Sequence, residues 1–169
     1  KRYGPLDAIV KGRQIEALVI VPQNPGGAWN PKKINDVLEW TKKHYAMDST
    51  RVYVMGMSLG GYGTLDFAAT YPDKIAAAMA SKVVVESLQR DGNDKRLRFT
   101  WMKGASHGAL ARIFYLKKTY EWLFSHSLLD KERMVNTEIN IDKSDLSDAY
   151  DDMITGAPDP EIIYDKTIY

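Results

Sequence analysis

The residues best suited to chemistry lie at positions 56–60, where the sequence reads Gly-Met-Ser-Leu-Gly and fits the pattern G-x-S-x-G. In this pattern the serine occupies a sharp turn between a strand and a helix, and its hydroxyl stands clear of the backbone. We expect Gly56 and Gly60 to remove side chains that would strike neighbouring elements. The Leu59 N–H and the helix dipole would stabilise negative charge on a substrate oxygen. The spacing therefore predicts that Ser58 is a nucleophile.

A serine hydroxyl needs a base to accept its proton, and the sequence offers three histidines. His44 and His126 fall near the ends of predicted helices, which is typical of surface or helix-end histidines. His107 instead follows a predicted strand, in the small-residue loop 103–108, and open parallel sheets place their sites at such strand ends. It also follows the serine in chain order, as in one known arrangement of catalytic residues. We therefore predict that His107 is the base.

The elements that must position these residues begin with four predicted strands. Apolar runs at 16–21, 51–56 and 75–80 are typical of strands covered on both faces, and residues 96–102 alternate as a strand does. A turn-rich loop at 24–31 follows the first run.

Helices are predicted between these strands. Asn30 and Pro31 serve as an N-cap and first helical position for a helix that ends near His44 or Ala46. Further helices are predicted at 65–69, after the Gly-rich turn, and at 81–90. A final helix is indicated by apolar residues at helical spacing: Ile113, Leu116, Tyr120, Leu123 and Phe124. The alternation of strands and helices predicts an α/β fold, a mostly parallel sheet sandwiched between helices.

Composition and charge limit the organisation of the chain. Its 169 residues suit one domain, and the absence of cysteine excludes disulfides and a thiol nucleophile. The net charge of +1 is uneven, because residues 136–169 contain nine acidic and two basic residues, a balance of −7 that leaves +8 for residues 1–135. We predict a boundary near Asn136, with a catalytic domain over 1–135 and an acidic C-terminal extension over 136–169.

Several classes of partner are not expected. The basic residues are scattered and accompany no recognised nucleic-acid motif, so we expect no nucleic-acid partner. No phosphate-binding G-x-G-x-x-G loop follows a strand, and the Asp-rich stretch 142–152 lacks the spacing of a calcium loop, so we expect no cofactor and no metal. No apolar run approaches the ~18 residues of a membrane span. The oligomeric state stays open.

The sequence around the serine resembles a known family. Residues 48–64 read Asp-Ser-Thr-Arg-Val-Tyr-Val-Met-Gly-Met-Ser-Leu-Gly-Gly-Tyr-Gly-Thr, and together with 68–78 they are similar to the esterase branch of the α/β-hydrolase superfamily. The nearest patterns are those of dienelactone-hydrolase-like carboxylesterases and of esterases related to polyhydroxybutyrate depolymerases and feruloyl esterases. The resemblance covers about residues 1–127 and implies that the four strands are the fourth, fifth, sixth and eighth of the fold.

The resemblance also implies two parts that the sequence does not show. The second oxyanion donor would lie before Lys1, and the acid of the catalytic triad usually follows a seventh strand, for which there is no room between Ala80 and Ser81. The carboxylates before His107 are not well placed to orient it: Glu86, Asp91 and Asp94. We expect that the chain joins two segments at 80–81, with Cα atoms well beyond the ~3.8 Å of a peptide link. The alternative is a naturally shortened, inactive relative.

Two functions of different classes follow. The favoured one is a serine hydrolase that cleaves carboxylic esters through a Ser-His-(Asp) acyl-enzyme mechanism, with a small-molecule or carbohydrate-linked acyl or feruloyl ester as substrate. A peptidase or thioesterase of the same fold would use the same chemistry. The rival is a non-catalytic, hydrolase-fold binding protein. Trp29 and Met57 are candidate substrate contacts, although packing is the commoner role for such a tryptophan. The resemblance favours a secreted or periplasmic location over a cytoplasmic one.

Overall fold

The computed structural model describes residues 4–80, 106–131, 141 and 143–147. These residues fall into two compact units. Residues 4–21, 106–120, 141 and 143–147 belong to the first unit, and residues 22–80 and 121–131 belong to the second. The predicted helix at 81–90, the predicted strand at 96–102, the junction of Ala80 with Ser81 and the predicted boundary near Asn136 lie outside the described residues.

The second unit is built on two parallel strands, β1 (Tyr53–Met55) and β2 (Ala77–Met79). Val54 of β1 lies beside Ala78 of β2 in the register. The connection consists of helix α3 (Leu59–Thr70) and a 3-10 turn (Pro72–Lys74), which makes a strand-helix-strand unit. The parallel pairing of the second and third predicted strands is therefore confirmed, although each strand is only half-buried and shorter than its apolar run.

Helix α2 (Pro31–His44) agrees with the sequence-based prediction at both ends. The Asn30 side-chain oxygen accepts hydrogen bonds from the N–H groups of Lys32 at 2.9 Å and Lys33 at 3.4 Å, and so satisfies N–H groups that lack a partner within the helix. Helices α2 and α3 contact each other. Their apolar faces cover a core of Val52, Phe67 and Ile75, with Ile34, Leu38, Met47, Val54, Ala68, Tyr71 and Ala78 packed around it.

The last part of the second unit is attached to the beginning of β1. Arg51 donates a hydrogen bond to the Phe124 carbonyl at 2.8 Å, and the Tyr53 hydroxyl donates to the His126 carbonyl at 2.8 Å. The Leu128 N–H donates to the Thr50 carbonyl at 2.9 Å. These bonds fix the strand that leads to Ser58 at its N-terminal end.

The first unit contains helix α1 (Pro5–Val10), the short helix α4 (His107–Leu110), a 3-10 turn (Ala111–Phe114) and the short helix α6 (Lys143–Ser147). Helix α5 (Lys117–Phe124) crosses the division between the units, which falls after Tyr120. Arg112 donates a hydrogen bond to the Leu146 carbonyl at 3.0 Å and thereby connects the 3-10 turn to α6.

The single helix predicted over 113–124 is wrong, because the chain breaks between the 3-10 turn and α5. Three consecutive carbonyls at the break accept hydrogen bonds from side chains. Thr119 donates to Ile113 at 2.7 Å, Tyr120 to Phe114 at 2.5 Å, and the buried Arg13 to Tyr115 at 2.6 Å. Side-chain donors of this kind compete with the backbone ladder of a helix.

The strand predicted at 16–21 is also wrong. These residues have no strand partner in the part of the chain that the structure describes, and Leu18 and Val21 are half exposed, at 49% and 51%. A strand needs a neighbour for its backbone N–H and C=O groups, and an apolar run alone cannot supply one. Among the described residues, no helix is both long and apolar enough to cross a membrane.

Candidate active site

Ser58 lies at the junction of β1 and α3, the position that the motif predicted. Its backbone has φ 56° and ψ −124°, and among the described non-glycine residues it alone has a positive φ. This conformation is rarely adopted by residues with a side chain, and it costs about 1–3 kcal/mol that the surrounding structure must offset. Such outliers are concentrated at functional sites, so the strain makes Ser58 a candidate functional residue.

The hydroxyl of Ser58 does not cap the helix that follows it. A serine at the N-cap position ordinarily accepts a hydrogen bond from the backbone N–H two or three residues later, yet α3 has no side-chain cap of this kind. The Ser58 side chain is exposed and has no hydrogen-bond partner in the described part of the chain. The structural role that usually explains a serine at a helix start is therefore absent, and the hydroxyl is available to a substrate.

The backbone N–H groups of this turn differ in their partners. Those of Gly60 and Gly61 donate to the carbonyls of Met57 and Ser58, each at 2.9 Å. The Leu59 N–H, at the first position of α3, donates no hydrogen bond within the described residues. An unpaired N–H directly after the serine, at the positive end of a helix dipole, is suited to bind a developing oxyanion.

Gly56 is required by sterics at the end of β1. A Cβ atom there would lie 2.1 Å from the Gly60 carbonyl oxygen and 2.6 Å from the Thr64 hydroxyl oxygen. Its N–H donates to the Met79 carbonyl at 2.9 Å, which holds the strand end against β2. The corresponding expectation for Gly60 is wrong among the described residues, because apart from its neighbours in its own helix a Cβ there would meet none of their atoms within 4 Å. The reason is geometric: Gly60 contributes its carbonyl to the contact, while Gly56 provides the vacant Cβ position.

Trp29 packs against the helix that begins after Ser58. A Cβ at Gly63 would lie 2.5 Å from Trp29 Cγ and 2.7 Å from Trp29 Cβ, so the indole approaches the helix backbone where no side chain intervenes. Trp29 is half-buried and ends the loop that precedes α2. This contact supports the packing role that the sequence left open. Its role as a substrate contact, and that of the half-buried Met57, stay predictions.

The sequence did not single out Tyr62, which lies four residues after Ser58 on α3. Its side chain is 44% exposed, and its N–H donates to the Ser58 carbonyl at 3.2 Å. Leu59 is 49% exposed. The available signal was the position itself, since residues four apart on a helix share a face.

His107 is the first residue of α4, and its approach to Ser58 stays a prediction. The preceding residue, Ser106, caps this helix: its hydroxyl oxygen accepts a hydrogen bond from the Ala109 N–H at 3.1 Å, and its carbonyl accepts one from Leu110 at 3.0 Å. The backbone at His107 is therefore fixed by a local cap.

The other two histidines occupy helix ends. The Nδ1–H of His44 donates to the Trp40 carbonyl at 2.7 Å, and that of His126 donates to the Trp122 carbonyl at 2.7 Å. Each imidazole also lies near the indole of the same tryptophan, with ring centroids 4.1 Å and 4.6 Å apart. Both rings thus have the structural role that the sequence predicted for them.

Acidic residues and histidines could serve as metal ligands, and a carboxylate could serve as the acid of a catalytic triad. Within the described ranges, no group of three or more histidine, aspartate or glutamate residues is arranged to hold a metal ion. Glu86, Asp91 and Asp94, which are predicted to be poorly placed to orient His107, lie outside the described residues.

Comparisons with known proteins identify the family of this chain. The profile of the prolyl oligopeptidase family matches residues 24–139, which include both Ser58 and His107. Relatives include a probable acetylxylan esterase A of Aspergillus flavus, 39% identical over 66 residues that make up 39% of this chain and 21% of the relative. Acetylxylan esterase A of Aspergillus awamori is 34% identical over 92 residues, 45% of this chain and 30% of the relative.

A third relative, acetylxylan esterase A of Emericella nidulans, is 43% identical over 54 residues, 32% of this chain and 18% of the relative. The matches to these three curated relatives thus span between 18% and 30% of each relative's length. No solved structure matches the chain. The family match covers more than half of the sequence, and the chain belongs to the prolyl oligopeptidase family of α/β-hydrolases.

Proposed function

We propose that this chain carries the nucleophile of a serine hydrolase that cleaves carboxylic esters. The observation that carries the proposal is the strained backbone of Ser58, at φ 56°, combined with a hydroxyl that does not cap its helix. Membership of an α/β-hydrolase family and similarity to acetylxylan esterases support the same chemistry.

The proposed reaction begins when the Ser58 Oγ attacks the ester carbonyl carbon and His107 accepts the hydroxyl proton. The carbonyl oxygen becomes an oxyanion, which accepts a hydrogen bond from the Leu59 N–H. The carbon–oxygen bond to the alcohol then breaks, and the alcohol leaves with the proton from His107. A water molecule, deprotonated by His107, attacks the acyl-serine and releases the carboxylic acid and the free serine.

The substrate that we propose is a short acyl ester on a carbohydrate. The names of the curated relatives support an acetyl group on xylan, and the exposed position of Ser58 suits a bulky substrate. A location outside the cytoplasm would suit such a substrate and stays part of the proposal.

A peptidase is the second candidate, because the matching family is described as that of prolyl oligopeptidase. Peptide and ester cleavage pass through the same tetrahedral intermediate at a serine, so the geometry of Ser58 fits both. Substrate preference separates them.

The test compares three proteins on two substrates: the wild type, Ser58→Ala and Ser49→Ala, each with p-nitrophenyl acetate and with a proline-containing peptide p-nitroanilide. Ser49 is an exposed serine of the same unit and serves as the matched control. We expect the wild type and Ser49→Ala to hydrolyse the ester, and Ser58→Ala to lose at least about 1,000-fold in kcat.

Three other outcomes would contradict parts of the proposed function. If the wild type prefers the peptide to the ester, the protein is a peptidase rather than an esterase. Retention of activity by Ser58→Ala would remove the nucleophile assignment. A wild type that hydrolyses neither substrate would favour the non-catalytic binding protein.

A further inference from the structure

The first turn of α3 exposes apolar side chains beside Ser58. Leu59 is 49% exposed and Tyr62 is 44% exposed. In the described residues of the second unit, three large apolar side chains are exposed, and the remaining one is Leu129. Two of the three therefore lie within four residues of Ser58 in the chain, and exposed apolar surface next to a reactive group is typical of a ligand-binding site.

The helix geometry directs Tyr62 toward the serine. Side chains on a helix lean toward its N-terminus and cover the preceding turn. Tyr62 follows Ser58 by four residues, about 6 Å along a helix axis, and its N–H is bonded to the Ser58 carbonyl. By this general rule, the side chain of Tyr62 leans toward the turn that holds Ser58 and Leu59.

A second aromatic ring, from the loop before α2, packs against the same helix. Trp29 packs on Gly63, the residue next to Tyr62, and remains partly exposed. We call Trp29, Leu59 and Tyr62 together the aromatic ridge. The Tyr62 hydroxyl has no hydrogen-bond partner in the part of the chain that the structure describes, so it is available to a ligand.

We propose that the aromatic ridge binds the sugar ring that carries the ester. The sugar is the alcohol portion of the substrate, and Tyr62 is the residue that sets the preference for it. The C–H face of a pyranose is apolar and packs on an aromatic face, while the Tyr62 hydroxyl can bond a sugar hydroxyl. This inference rests on the proposed function, because it places the ring beside the ester bond that Ser58 attacks.

The test holds the acyl group constant and varies the alcohol. The kcat/KM values for an acetylated xylo-oligosaccharide and for ethyl acetate are measured for the wild type, Tyr62→Ala and Tyr62→Phe, with Leu129→Ala as the control for loss of an exposed apolar side chain. In Tyr62→Ala we expect the ratio of sugar ester to ethyl acetate to fall roughly fivefold to tenfold, mainly through KM. Tyr62→Phe should keep most of the ratio, and Leu129→Ala should keep all of it.

The outcomes separate this inference from the proposed function. An active enzyme whose ratio is unchanged in Tyr62→Ala would overturn the inference and leave the esterase standing. If the wild type hydrolyses neither ester, the proposed function fails, and the dissociation constant of the same oligosaccharide decides the inference. Weaker binding to Tyr62→Ala would support the ridge, while equal or undetectable binding to both proteins would overturn it.

Discussion

At the scale of single residues, the site depends on two positions, a serine held in a strained conformation and a glycine whose missing side chain makes that conformation possible. Gly56 lies where a Cβ would be 2.1 Å from a backbone oxygen, which cannot move without disturbing α3. The glycine therefore fixes the approach of β1 to the helix, and the approach in turn holds Ser58 at φ 56°.

Substitution by alanine should therefore have opposite effects on stability at the two glycines of the motif. Gly56→Ala should destabilise the fold by about 3 kcal/mol or more, because backbone atoms block the new methyl group. Gly60→Ala should change stability by less than about 1 kcal/mol, and in the stabilising direction, since the helical position is open. Urea unfolding of the two variants measures both values. Equal destabilisation by the two substitutions would contradict the steric account.

Sequence-based prediction of the site was most successful at the level of single residues. The G-x-S-x-G spacing predicted the turn at Ser58, with a strand before it and a helix after it, because the local motif encodes the turn. The motif assigned a steric role to Gly60 that only Gly56 has. A motif shows which residues are small, but it does not show at which of them a side chain would collide with its neighbours. It missed Tyr62, because exposure depends on what packs around a helix.

At the scale of elements, one contact between a loop and a helix is central. Trp29 anchors the loop before α2 to Gly63 of α3. Gly63→Ala should cost roughly 1–3 kcal/mol, because the indole must move away from the new methyl group. The variant should also show altered tryptophan fluorescence.

A double variant checks this contact. In a Trp29→Ala background, Gly63→Ala should cost much less, since the group it strikes is absent. Additive costs of the two substitutions would show that the indole is not the obstacle.

A second element-scale prediction concerns acid stability. Hydrogen bonds from Lys74 at 2.7 Å and Lys42 at 3.1 Å to Glu39 hold the pKa of that carboxyl below its usual range. Because the pKa is lower in the folded state, this contribution is complete above the unfolded pKa of about 4.3 and is lost as the pH falls through the folded value. Glu39→Gln should therefore lower the free energy of unfolding at pH 7, by at most about 1 kcal/mol for so exposed a pair.

The deficit of the same variant should shrink as the pH falls below the unfolded pKa, and should vanish once the carboxyl is protonated in both states. Asp36→Asn, an exposed carboxylate on the same helix, is the control for a change of charge alone. A Glu39→Gln deficit that persists undiminished at pH 3 would rule out the ionic origin.

Prediction from sequence succeeded for elements whose bounds are set by local signals. It failed where contacts with residues distant in the chain determine the secondary structure. The helix α2 was predictable from Asn30, Pro31 and the apolar spacing. The break before α5 depends on Arg13, which is 102 residues from the carbonyl that it bonds, and no local pattern encodes that partner. The apolar run at 16–21 has strand composition but no strand to pair with among the described residues.

At the scale of the whole molecule, the proposed mechanism pairs Ser58 with His107, 49 positions later in the sequence, as its base. His107→Ala should lower kcat/KM for an acetyl ester by roughly 100-fold to 10,000-fold, the usual contribution of a general base. His44→Ala and His126→Ala are matched controls, because each imidazole already donates to a tryptophan carbonyl. Loss of activity in a control equal to that in His107→Ala would contradict the choice of base.

The central claim is that Ser58 is an activated nucleophile, and labelling with a fluorophosphonate tests it most directly. The wild-type protein is treated with the probe at neutral pH, and the modified residue is located by mass spectrometry of its peptides. We expect one adduct per chain, on Ser58, with no adduct in Ser58→Ala and an unchanged adduct in Ser49→Ala. A folded wild-type protein that takes up no probe, or that is modified at another residue, would contradict it.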